Sequence, residues 1–187
     1  MSTDNNTTSN SNSKLKLEQP FALWCRISDE LISQQPKQYL NTDEYETQMK
    51  KIVEFDTIES FWETFQHIYK PDECKVGVEF QLFKAHIKPM WEDNYNKQGG
   101  KISIKLRKQF TTIIWEEMIL SLLSGKLPVK DEINGIVISC KKDCNVLQIW
   151  FRSYVYNIVN DIKQCIRDVL QIPDEIELET RQFFRQK

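Results

Sequence analysis

Glycine, histidine and long apolar runs are all scarce in this chain of 187 residues. No stretch approaches the roughly 18 apolar residues that a membrane-spanning helix requires. The two histidines, His67 and His86, do not form a pair at metal-ligand spacing, and the five glycines form neither a phosphate-binding loop nor a dinucleotide fingerprint. These absences disfavour a membrane protein and an enzyme built on the common metal or nucleotide motifs.

The chain also lacks an excess of charge of either sign. Its 25 Lys and Arg residues are matched by 27 Asp and Glu, so the net charge is -2 and no global positive charge attracts nucleic acid. The number of cysteines is odd, and Cys140 and Cys144 lack the further ligands that a zinc site needs. We expect a cytoplasmic protein with reduced thiols, no cofactor and no metal, in which any RNA-related role depends on a local site.

Aromatic residues, by contrast, are plentiful, with 10 Phe, 6 Tyr and 5 Trp. So many tryptophans in a chain of this length need an explanation. The composition also changes along the chain, because the first residues are mostly Asn, Ser and Thr. It predicts a disordered tail over residues 1–14 and a single domain over residues 15–187.

Apolar periodicity predicts strands that alternate with helices. Strands are predicted over residues 21–27, 48–55, 76–83, 101–107, 135–141, 145–151 and 176–180. Helices are predicted from a capping box at 56–59 through 69, from Thr111 or Thr112 through Ser124, and from Val155 to just before Pro173. Residues 28–44 are predicted to be a polar connection. The pattern indicates an α+β domain with a mainly antiparallel sheet.

One polar loop contains an aromatic residue that periodicity does not explain. Trp91 and Glu92 follow a proline between two predicted strands. A large aromatic in such a loop is either a recognition residue or a side chain that folds back onto the domain, and periodicity leaves both open.

The residues around this loop resemble the translation initiation factor 4E family of messenger-RNA cap-binding proteins. The matching segments are 88–93 (KPMWED), 96–100 (NKQGG), 55–62 (FDTIESFW), 115–117 (WEE), 135–137 (GIV) and 148–150 (QIW). The resemblance implies a cupped-hand α+β fold, in which a strongly curved, mainly antiparallel sheet of about eight strands is backed by three long helices. Phe21 and Tyr45 lie at positions where the main initiation factor carries Trp. In this respect the chain resembles the class II homologous-protein branch of the family.

The resemblance also implies a site for a cap guanine methylated at N7. Trp91 and Tyr45 match the two aromatic planes that enclose the base, and a cationic ring between such planes gains stacking and cation–π attraction. Glu92 matches the carboxylate that accepts from N1–H and the exocyclic amine. Trp150 matches a tryptophan near the N7 methyl group.

Basic residues are implied for the cap phosphates. Lys101 and Lys141 lie where the family commonly carries Arg, and Lys142 is an adjacent candidate; Lys supplies a point charge without the planar fork of Arg. For each, a solvated surface charge is the alternative. The C-terminal loop that adds basic contacts in the family is short here, and Arg181, Arg185 and Lys187 are left unassigned.

A partner surface is implied on the helical back. Trp62 matches a surface tryptophan that packs against a helical scaffold or repressor peptide with a Tyr-x-x-x-x-Leu-hydrophobic motif. The neighbouring contact positions fall on Ile58, Glu117 and Leu120. Trp24 and Trp115 are predicted to be core residues. The resemblance thus implies a monomeric, non-enzymatic protein that couples cap binding to translation initiation; the alternatives are a class II repressor and an adaptor with weak or no cap binding.

Overall fold

The structure is a computed structural model that describes residues 14–28 and 42–184. Its elements, in chain order, are β1 (Lys16–Ile27), α1 (Thr42–Gln48), β2 (Met49–Thr57), α2 (Ile58–Phe65), β3 (Val78–Lys84), β4 (Gly100–Leu106), α3 (Lys108–Leu123), β5 (Ile133–Ser139), β6 (Asn145–Phe151), α4 (Tyr156–Leu170) and β7 (Glu179–Gln182). Nearly all of the predicted tail, together with residues 29–41 of the predicted connection, lies outside the described residues.

The seven strands form one sheet in the order β2-β1-β3-β5-β6-β4-β7. All neighbouring strands are antiparallel, which confirms the predicted sheet type, although the described residues form seven strands rather than about eight. Among the described helices α3 and α4 are long, with 16 and 15 residues, whereas α1 and α2 have 7 and 8, so the described residues form two long helices rather than the three predicted. No helix within the described ranges has the length and apolar character needed to cross a membrane.

Helix ends differ from the sequence prediction for local reasons. The N-cap of α2 is Thr57, whose hydroxyl accepts from the Ser60 amide at 3.3 Å. The helix ends at Phe65, because beyond its C-cap, Gln66, the amides of His67 and Ile68 donate to carbonyls only three residues back. Helix α3 begins at Lys108, so Thr112 lies inside it and donates to Asp72 at 2.5 Å instead of capping the helix.

Strand alternation divides the side chains between two faces of the sheet. The main core lies between the sheet and the helices, and includes Ile102 and Ile104 of β4, Leu147 and Ile149 of β6, Trp115 and Met118 of α3, and Ile162 and Ile166 of α4. A smaller cluster of Phe83, Ile87, Val137 and Trp150 occupies the opposite face. Trp115 is buried as predicted, but Trp24 is only half-buried and lies under the Lys51 ammonium, at 5.2 Å, so the prediction of a core Trp24 is wrong.

Candidate functional site

The face opposite α2, α3 and α4 contains a cavity of about 640 Å³, which we call the slot. Its lining residues are Arg26, Tyr45, Glu79, Pro89, Met90, Trp91, Glu92, Lys101, Val137, Gln148, Trp150, Arg181 and Phe183. All four predicted base-binding residues and Lys101 therefore lie around one cavity. Lys141 and Lys142 do not line it; both are exposed where the chain turns between β5 and β6.

The loop that carries Trp91 is held by side-chain hydrogen bonds. Asn96 is fully buried, and its amide donates to the carbonyls of Lys88 and Met90 at 2.9 and 2.8 Å. Asn134, at the start of β5, donates to the Asn96 amide oxygen at 2.9 Å. These bonds satisfy backbone groups that a sheet or helix would otherwise pair, so the loop has a defined shape without regular structure.

The two tryptophans of the slot have different environments. Trp91 is 43% exposed, whereas Trp150 is 7% exposed and meets Phe83 edge-to-face at 5.5 Å between ring centroids. Gly135 pairs with both Phe83 and Trp150, and a Cβ there would lie 2.4 Å from the Phe83 ring. Glycine at this position therefore leaves the space in which the Phe83 ring packs.

Tyr45 is the third aromatic residue of the slot, and it is held from two directions. Its hydroxyl accepts from the Gln81 amide at 3.0 Å, and the Arg26 guanidinium lies over its ring at 4.7 Å. Burial, reinforced by the negative charge of Glu79, raises the pKa of Tyr45 to about 12. The phenol therefore stays neutral at physiological pH.

A buried ion pair forms one side of the slot. Arg26 and Glu79 are 2.9 Å apart, and Ser139 donates to the other Glu79 oxygen at 2.8 Å. The ammonium of Lys141 lies 3.8 Å from that second oxygen, so Lys141 stands next to the slot through Glu79. Arg26 was not among the site residues predicted from the sequence. It could have been suspected because it is the charged residue in the otherwise apolar segment 21–27, two positions after Trp24 and therefore on the same face of the strand.

Two cations lie side by side on β4 and β7. Lys101 and Arg181 are register partners, and both line the slot. Burial lowers the pKa of Lys101, and the positive charge of Arg181 lowers it further. Lys101 also donates to Gln148 at 3.2 Å. Adjacent cations of this kind favour an anionic ligand, which would relieve their repulsion.

The predicted partner residues lie on the helical side. Trp62 of α2 is 41% exposed and borders a cleft of about 280 Å³, which is also lined by Leu23, Phe80 and Trp115. Leu120 is 43% exposed and Glu117 is exposed on α3, whereas Ile58 is half-buried against the main core. Trp62 therefore belongs to the surface, although its helical spacing alone is typical of a core residue.

The chain also resembles proteins of known identity. A family model described as Eukaryotic initiation factor 4E matches residues 16–187. Eukaryotic translation initiation factor NCBP of Triticum aestivum is 35% identical over 130 residues, which cover 69% of this chain and 56% of the relative. Eukaryotic translation initiation factor 4E1 of Drosophila melanogaster is 39% identical over 118 residues, which cover 60% of this chain and 46% of the relative. The chain thus spans roughly half the length of these curated relatives.

Solved structures show the same fold. The C. elegans eIF4E-3 chain, in a complex with the 4E-binding protein Mextli and cap analog, matches with a TM-score of 0.79 and 26% identity, covering 91% of this chain and 93% of that one. Ascaris suum eIF4E-3, in a complex with m7G cap, matches with a TM-score of 0.79 and 25% identity, covering 91% and 92%. Because the family model matches nearly all of the domain and the fold agrees, this chain belongs to the eukaryotic initiation factor 4E family.

Proposed function

We propose that this chain binds the 7-methylguanosine cap of messenger RNA in the slot. The observation that carries the proposal is the convergence of Tyr45, Trp91, Glu92 and Trp150 on one cavity of about 640 Å³. Relatives in this family have been solved with a cap analog and with m7G cap, which supports the same ligand class here.

In this mechanism the base enters between Trp91 and Tyr45. Methylation at N7 gives the ring a positive charge, so stacking and cation–π attraction act together, and such stacking is worth about 1–3 kcal/mol per base. Glu92 accepts from N1–H and the exocyclic amine, a donor pair that guanine has and adenine lacks. Trp150 provides an apolar surface for the methyl group.

The phosphates then lie toward Lys101 and Arg181, the adjacent cations of the slot. Lys141 supports this region from the side of Glu79. Lys142 is the least supported of the predicted phosphate ligands, because it is exposed and does not line the slot. The protein would act by binding alone, with no chemical conversion of the cap.

We propose further that a partner protein on the helical back couples cap binding to translation initiation. The exposed Trp62, with the cleft beside it, supports a helical partner that carries a Tyr-x-x-x-x-Leu-hydrophobic motif. The C. elegans relative was solved with a 4E-binding protein, which supports a protein partner for this chain as well. Whether the outcome is initiation or class II repression depends on which partner binds.

The test is to titrate the protein with 7-methyl-GTP and, separately, with GTP, and to follow binding by intrinsic fluorescence and by calorimetry. We expect saturable binding with a clear preference for the methylated nucleotide. Glu92→Gln keeps the shape but removes the charge, and we expect it to weaken binding about tenfold or more, because a hydrogen bond to a charged group contributes about 1.5–3 kcal/mol. Trp91→Ala should weaken binding at least as much.

Glu177→Gln is the matched control, because Glu177 is an exposed carboxylate outside the slot lining. It should bind as the wild type does. Equal affinity for 7-methyl-GTP and GTP, or no saturable binding, would overturn cap recognition and leave the adaptor function.

A further inference from the structure

The C-terminal end of the described chain packs against both tryptophans of the slot. The ring centroids of Phe183 and Trp150 are 4.5 Å apart, with an angle of 51° between the ring planes. Those of Phe184 and Trp91 are 4.7 Å apart, with an angle of 43°. Phe183 lines the slot, whereas Phe184 does not, so the two rings have different relations to a bound base.

Phe184 supplies a contact that the Trp91 loop itself does not provide. The hydrogen bonds of Asn96 fix the loop backbone, but the Trp91 ring is 43% exposed. Among the aromatic contacts of the described residues, the Phe184 ring is the one that touches it. An indole that stacks on a base must be held at one orientation, and an aromatic neighbour in tilted contact restricts that orientation before the ligand arrives.

The strand that delivers these rings is weakly attached. β7 has four residues, lies at the edge of the sheet and pairs only with β4. Its residues are exposed or half-buried, and the Phe183 amide donates to the Gly99 carbonyl at 3.2 Å as the pairing ends. An edge strand with so few buried contacts opens at low free energy, so its docking can respond to what occupies the slot.

We propose that Phe184 is a positioning residue for Trp91 and that Phe183 is a wall residue of the slot, so that docking of β7 and binding of the base strengthen each other. The inference rests on the proposed cap-binding function. Linkage requires the coupling to be reciprocal: if the docked strand raises the affinity of the slot, then a ligand in the slot stabilises the docked strand by the same factor.

The experiment compares four variants of the full chain in titrations with 7-methyl-GTP. Phe184→Ala removes the ring, Phe184→Leu keeps an apolar side chain without a ring, and Phe184→Tyr keeps the ring. Phe110→Ala is the matched control, because Phe110 on α3 is 46% exposed and Phe184 is 42% exposed. We expect Phe184→Ala and Phe184→Leu to bind about two- to tenfold more weakly, the range of one aromatic pair, and the other two to bind as the wild type does.

A second measurement reports on the strand itself. Hydrogen exchange at the Phe183 amide should slow when the wild type is saturated with 7-methyl-GTP, and this protection should shrink in Phe184→Ala. The midpoint of urea unfolding should stay near the wild-type value in each variant, since Phe184 and Phe110 both lie outside the main core.

The outcomes separate the two proposals. If the wild type binds 7-methyl-GTP and Phe184→Ala binds equally well, the positioning role is overturned while the cap-binding function stands. If Phe184→Leu matches Phe184→Tyr, apolar cover rather than ring contact is responsible, and the positioning role is again overturned. If the wild type does not bind the nucleotide at all, the cap-binding function is overturned and the coupling with it.

Discussion

Tyr45 shows how one side chain of the slot depends on its neighbours. Its phenol accepts from Gln81, its ring contacts Arg26, and burial together with Glu79 disfavours its ionised form. The side chain is therefore suited to stay neutral while it presents a ring to a base. That suitability has a consequence for stability at high pH.

The pKa of Tyr45 is raised from 10.0 to about 12 in the folded state. Between these pH values the folded protein retains a proton on Tyr45 that the unfolded chain has lost. The contribution of neutral Tyr45 to the free energy of unfolding is therefore fully present below pH 10 and is lost as the pH rises toward 12. Between about pH 9 and 11.5 we expect the wild type to lose about 2 kcal/mol more unfolding free energy than Tyr45→Phe. Urea unfolding of both proteins, followed by tryptophan fluorescence from pH 9 to 11.5, measures the difference. Parallel pH profiles would contradict the prediction.

Residues that the family resemblance covers were predictable, including Tyr45 and Trp150 from distant segments, whereas distant residues outside the resemblance were not. Trp91, Glu92 and Lys101 belong to one stretch of sequence, and the same slot contains all three. Arg26, Glu79 and Phe183 come from β1, β3 and the end of β7, and only the pairing of those strands brings them to the slot. No periodicity indicates which distant residues will share a cavity.

At the scale of elements, each of the seven predicted strands is present, whereas the early start of β1, helix α1 and the ends of two other helices were not predicted. The strand predicted over 101–107 is observed as β4, in which Ile102, Ile104 and Leu106 are buried because a half-buried strand repeats every two residues. The early end of α2 was missed because it depends on local hydrogen bonds that apolar spacing does not indicate, and the early start of α3 was missed because its N-cap, Arg107, makes no side-chain capping bond.

The Trp91 loop is an element whose shape depends on one buried side chain. Asn96→Ala removes three hydrogen bonds and leaves a buried donor of Asn134 without its acceptor, at a cost of about 1–3 kcal/mol for that group. We expect faster trypsin cleavage after Lys97 and weaker binding of 7-methyl-GTP. Cleavage is measured by mass spectrometry under native conditions.

Asn94 provides the control for this prediction. It lies in the same loop but is exposed, and its side chain only accepts from Lys97 at 2.7 Å. Asn94→Ala should therefore keep the wild-type affinity for 7-methyl-GTP. If Asn96→Ala is cleaved no faster than Asn94→Ala, the hydrogen bonds of Asn96 do not hold the loop.

At the scale of the whole molecule, the sheet separates the two proposed surfaces. Glu79 and Phe80 are consecutive residues of β3, so their side chains lie on opposite faces of the sheet. Glu79 lines the slot, as Trp150 of β6 does, whereas Phe80 lines the cleft beside Trp62. A rigid sheet between them allows each surface to be changed without disturbing the other. Effects at well-separated sites without shared partners are additive.

This separation predicts that Trp62→Ala and Trp91→Ala each weaken the binding of one ligand and leave the other ligand unaffected. We expect Trp62→Ala to weaken a synthetic peptide with the Tyr-x-x-x-x-Leu-hydrophobic motif by about thirtyfold or more, as for a central aromatic contact, while 7-methyl-GTP affinity stays within about twofold of the wild type. Trp91→Ala should do the reverse, and the double variant should show the sum of both free-energy changes.

Glu63→Ala, an exposed change on α2, is the control for peptide binding. Calorimetric titrations with each ligand measure all four proteins. Loss of both ligands together in Trp62→Ala, with a lower unfolding midpoint, would instead make Trp62 part of the packing that supports the whole sheet.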